Sequence, residues 1–134
     1  MSKSARTDDS RPALFDDWIV AEYDRTEGFT ALVLLLAISE LEVVPLRSTF
    51  VHVVGDELSW HDFYELMSGA GVAWQGVVIV SVPDVDGGPI DDAQARTELA
   101  DLEKRIIENR LVINEGHFFD QWGRRMKVEE AMPN

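Results

Sequence analysis

The chain has no cysteine, so disulfides, thiolate metal sites and cysteine nucleophiles are excluded together, and nothing points to an oxidising compartment. A cytoplasmic location is the expectation that follows. Basic residues are also scarce. Twelve Lys and Arg face 25 Asp and Glu, a formal net charge of -13, and a phosphate backbone would be repelled by the protein's own field. Nucleic acid is therefore excluded as a general partner. Long apolar runs are absent too: the longest, Phe29 to Ile38, has ten residues, about half of the ~20 that cross a bilayer core. It reads as buried core, and no membrane association is expected. Internal repeats, low-complexity tracts and Pro/Gly-rich linkers are missing as well, so nothing divides the chain.

What is present suits one domain. With 134 residues and 46% apolar side chains, one core can form but two ordinary ones cannot. Residues 1–11 are polar and read as a flexible tail, 12–128 as a single α/β domain, and 129–134 as a frayed terminus. Ser10 and Pro12 have the chemistry of a helix start, with Leu14, Phe15, Trp18 and Ile19 on one face. Residues 29–41 are ambiguous between strand and helix, and their leucine and alanine content tips the reading to helix. Pro45 ends that segment, and Ser48 to Val54 reads as a strand. A short helix capped by Ser59 follows, stopped at Gly69 or Gly71. Gly76 to Val82 has the pattern of a central strand, and Asp91 or Asp92 caps a long amphipathic helix bearing Ala95, Leu99, Leu102 and Ile106. Leu111 to Asn114 reads as a strand and the segment from His117 as a closing helix. The alternation of strand and helix from Ser48 onward predicts a small three- to four-stranded, mostly parallel sheet covered by helices.

That topology would bring the carboxyl ends of three strands to one edge, where ligands of open α/β sheets bind. Asp56 and Glu57, Asp84 and Asp86, then Glu115 and His117 would meet there. Asp84, Asp86 and Asp56 are accordingly the candidate ligands for Mg²⁺, whose preference is for carboxylate oxygens. Phosphoryl transfer or phosphoester hydrolysis would be the implied chemistry, with His117 or Glu115 moving the proton. Acids also gather at loops simply because they cap helices.

The segment Val77 to Asp92, VVIVSVPDVDGGPIDD, resembles the first motif of haloacid dehalogenase-type phosphatases, a strand ending in Asp-x-Asp-Gly-Thr. The resemblance would make Asp84 the nucleophile and Asp86 the general acid/base. Gly88 stands in the threonine position and Pro83 interrupts the strand end, so these sixteen residues do not establish membership. An EF-hand is excluded because Pro89 and Ala95 occupy its sixth and twelfth positions. His52, His61 and His117 match no compact zinc spacing.

The last candidate lies in HFFDQWGRRMK. Phe118, Phe119 and Trp122 stand beside Arg124, Arg125 and Lys127, a basic cluster in an acidic chain. Aromatic residues next to arginine have the composition of an interface hot spot. The reading of the sequence is thus a non-catalytic acidic interaction module, of regulatory, adaptor or inhibitor type. It needs no cofactor and pairs with a protein that carries a basic patch. A divalent-cation enzyme is the alternative.

Overall fold

The computed structural model describes residues 11–40 and 42–128. In chain order its elements are helix α1 (Phe15–Thr26), strand β1 (Phe29–Ile38), strand β2 (Val43–Val53), helix α2 (Trp60–Ser68), strand β3 (Gly76–Val82), helix α3 (Asp92–Glu108), a 3-10 helix (Arg110–Glu115) and strand β4 (His117–Asp120). The four strands form one sheet in the order β2-β1-β3-β4. Every neighbouring pair is antiparallel, so the expected mostly parallel sheet is wrong.

The source of that error is residues 29–38. Their unbroken apolar run is a strand and not the expected helix, because β1 lies at the centre with both faces covered. Helix propensity yields to burial there. Leu32, Leu34 and Leu36 face one layer while Ala31, Val33 and Leu35 face the other, the two-residue alternation of a pleated strand. Only residues 39–42 join β1 to β2, far too few for the crossover that parallel neighbours require. A hairpin is the consequence. β2 and β3 do run the same way, but β1 separates them.

Other boundaries move for local reasons. α1 begins after Leu14, not in the expected Ser10–Pro12 region, and Ser10 lies outside the described residues. Pro45 sits inside β2, opposite Leu36 at a register shift, a place where an edge strand tolerates a missing N–H. Residues 110–115 coil into a 3-10 turn whose first N–H groups are drawn to Asn109, which accepts from Leu111 N at 3.0 Å. The expected closing helix from His117 is strand β4 followed by a tight turn at 121–123. The helices capped by Ser59 and Asp91 and the strand Gly76–Val82 fall where the sequence places them. The Ser59 hydroxyl accepts from Asp62 N and the Asp91 carboxylate from Gln94 N.

Each face of the sheet carries its own core. α1 and α2 cover one with Phe15, Trp18, Ile19, Phe63 and Met67 against Val33, Val77 and Phe119. α3 and the 3-10 helix cover the other with Leu102, Ile106 and Ile113 against Leu34, Val78 and Phe118. Phe119 is fully buried, its ring set edge-on to Phe15 at 5.6 Å between centroids. Deleting such a ring leaves a cavity the neighbours cannot fill, so Phe119→Ala is expected to cost about 3–5 kcal/mol. Truncating the exposed Trp122 should cost less than about 1 kcal/mol. Denaturant midpoints of the two variants check the pair.

Candidate functional site

The strand-end acids are held apart by the sheet order. Asp56 follows β2 and Asp84 follows β3, with β1 between them, so their strands lie roughly 10 Å apart, twice the spacing of neighbours. Asp84 is occupied by its own turn. Its carboxylate accepts from Asp86 N at 3.2 Å, its N–H donates to Gly88 O at 2.7 Å, and Pro83 pairs with Pro89. Asp86 is exposed on the same turn. Glu115 ion-pairs with Arg105 at 2.6 Å, and His117 stacks on Trp18 with ring centroids 4.6 Å apart. Among the described residues no three His, Asp or Glu side chains come close enough together to hold a metal ion.

Two polar groups that the sequence does not advertise are more ordered than these acids. Thr30 Oγ1 lies 2.8 Å from His52 Nδ1, and His52 Nε2 lies 2.7 Å from Asp92 Oδ1. Hydroxyl, imidazole and carboxylate in series is the layout of an activated nucleophile. Thr30 is fully buried, however, and its oxygen accepts from Ile90 N at 3.1 Å, so no substrate can reach it. A neutral imidazole protonated on Nε2 satisfies every member. The chain is a clasp that ties β1, β2 and the start of α3 together.

The second group surrounds Glu22, which is buried on α1 and bonded to Arg25 at 2.5 Å. Burial pushes its carboxyl up. Arg25, the nearby Ser81 hydroxyl and His117 outweigh that and hold it below the ordinary glutamate value. A group whose folded value is depressed adds stability above its unfolded value and loses it on acidification. The stability gap between the native chain and Glu22→Gln should therefore be full above pH 4.5 and close as pH falls through the lowered value. Urea denaturation at a series of pH values reads that gap.

The C-terminal aromatic and basic residues divide cleanly. Phe118 and Phe119 alternate into the two cores and are buried. Arg125 is also drawn inward, its Nε donating to Pro12 O at 2.7 Å and its guanidinium 5.0 Å above the Phe119 ring. Of the six, Trp122, Arg124 and Lys127 are exposed. Trp122 is 67% exposed, and the Arg124 guanidinium sits 5.0 Å from its ring centroid, a cation–π contact.

Asp120 builds that projection. Its Oδ1 accepts from Trp122 N at 2.9 Å and Arg124 N at 3.0 Å, and its Oδ2 from Arg124 Nε at 2.8 Å. One nearly buried carboxylate thus closes the whole turn. Gly123 completes it with a φ of +76°, and a Cβ there would lie 2.8 Å from the Trp60 ring, so a side chain is barred by both conformation and space. Trp60 donates from Nε1 to Gln121 O at 3.0 Å, while Gln121 Nε2 donates to Trp74 O at 2.8 Å. Trp60, His61, Tyr64, Gln121 and Trp122 line a pocket of about 440 Å³. The sequence shows Trp122 and Arg124 but not Trp60 and Tyr64, which arrive from a helix about sixty residues earlier.

Comparison with protein-family models, with curated proteins and with solved structures finds no match for this chain. The geometry therefore has to carry the functional reading. With the acids dispersed, millimolar Mg²⁺ should leave the melting temperature of the native chain and of Asp84→Asn equally unmoved. A rise that Asp84→Asn abolishes would reveal a bound ion, since a ligand of the native state alone stabilises it by mass action.

Proposed function

We propose that this chain is a non-catalytic acidic interaction module, of regulatory, adaptor or inhibitor type, that contacts its partner through the Trp122 turn. The observation that carries the reading is an exposed tryptophan stacked with an arginine beside an aromatic-lined pocket. Trp, Tyr and Arg dominate interface hot spots because they combine large area with few rotatable bonds and a polar handle. Here all three converge, and the turn that presents Trp122 is fixed before any partner arrives, so little ordering entropy opposes association.

Charge assigns the partner's chemistry. Asp16 and Asp17 of α1 and Asp62 and Glu65 of α2 are exposed on the helices that flank this region, and the net charge of -13 favours encounter with a protein that carries a basic patch. Acids on the rim set the rate of approach, and the aromatic centre sets the lifetime of the complex.

Trp122→Ala and Arg124→Gln are the discriminating variants, because both residues are exposed and glutamine removes the cation–π contact without setting a like charge against Asp120. Affinity purification at low ionic strength should recover a stoichiometric partner with the native chain, released as salt rises. Trp122→Ala should weaken the reconstituted complex by about 2 kcal/mol or more, measured by calorimetry. A native chain that remains alone at low salt, or a complex indifferent to both substitutions, would remove the reading.

A further inference from the structure

The two edges of the sheet are treated differently. Beyond β4 the chain folds back: Asp120 N donates to Arg124 O at 2.9 Å, Met126 N to Phe118 O at 2.7 Å, and Arg125 N to Ala13 O at 2.7 Å. That edge is sealed. At the opposite edge, among the described residues, no backbone hydrogen bond reaches Val43–Val53 from its outer side. Pro45 and the register shift beside it blunt the beginning of β2, but Arg47 to Val53 keeps a regular, unpaired row of backbone groups, the template for an added strand.

Hollows flank this row on both faces. On one, Leu35, Val51, Leu66, Met67 and Ala70 line a groove of about 550 Å³, with Leu66 56% exposed. On the other, Leu34, Pro45, Leu46 and Ile107 border a hollow of about 420 Å³ whose lining also includes Arg47, Ser48 and the Glu103 carboxylate that accepts from the Ser48 hydroxyl, with Ile107 72% exposed. An open edge supplies main-chain hydrogen bonds, and pockets beside it take alternate side chains, which together are the requirements of β-strand addition.

The charge pattern selects the occupant. No acid occurs in the eleven residues of β2, in a chain that has 25 of them. Exposed acids bracket the strand instead, Glu40 and Glu42 before it and Asp56 and Glu57 after it. A second copy pairing antiparallel would set Glu40 and Glu42 of one molecule against Asp56 and Glu57 of the other, a like-charge opposition at both ends. We propose that β2 accepts an extended segment of a partner protein, apolar in its middle and basic at its ends, as a fifth strand. This site is separate from the Trp122 turn and does not depend on it.

The probe is a synthetic peptide of alternating valine and threonine with two lysines at each end, titrated into the ¹⁵N-labelled full chain. Binding should shift the amides of Arg47 to Val53 and of α2 near Leu66. Methylating alternate peptide nitrogens, which removes the strand hydrogen bonds, or exchanging the lysines for glutamates should each weaken binding roughly tenfold or more. Leu66→Lys, at an exposed position, should weaken it while leaving the fold intact, and Trp122→Ala should leave it unchanged. The proposal fails if the peptide does not bind, if the glutamate-ended peptide binds equally well, or if the shifts map to the Trp122 turn. It also fails if the free chain dimerises with its β2 amides protected, since a second copy then fills the edge.

Discussion

Nine apolar residues and one buried, hydrogen-bonded threonine in β1 leave that strand with no side fit for water, and the rest of the architecture answers this requirement. A strand with one polar face could have been covered by helices on one side only. Here two layers are needed, and the chain supplies α1 and α2 for one face and α3 with the 3-10 helix for the other. β1 lies between β2 and β3, and the short link to β2 forces the antiparallel sense of that pair.

The same requirement disperses the acids. Because β1 lies between β2 and β3, Asp56 and Asp84 follow strands that are not neighbours. Buried carboxylates are few, and each has local work. Glu22 is held by Arg25, and Asp120 organises a turn through three hydrogen bonds. Most of the other acids among the described residues are exposed, where they govern approach and solubility without specifying the fold.

Legibility in the sequence followed the range of the interactions. The caps at Ser59 and Asp91 are decided within three residues, and so is the pattern of Gly76 to Val82; all three are readable. Residues 29–38 read as helix because their leucines satisfy helix and strand alike, and only the two covering layers decide between them. That one segment turns the expected mostly parallel sheet into an antiparallel one, since reading it as a helix hides the hairpin to β2. At the candidate site, Trp122 and Arg124 were legible by composition. Phe118 and Phe119 were assigned to the same interface because, read as a closing helix, the segment hides the strand alternation that sends both rings inward. Trp60 and Tyr64, like the links Thr30–His52–Asp92, join positions distant in sequence and leave no local trace.

The sealed edge couples early and late parts of the chain. Leu14 pairs with Arg124, and Ala13 receives the amide of Arg125, so the joint closes over more than a hundred residues of intervening polypeptide. Contacts of such separation are slow to form, because the loop entropy is lost before the contact is gained. On the ribosome, α1 emerges first yet cannot complete its seat until β4 and the turn after it have been synthesised. Phe29, Trp60 and Phe63 can pack on Phe15 and Trp18 earlier, but the seat of α1 closes only when Phe119 arrives.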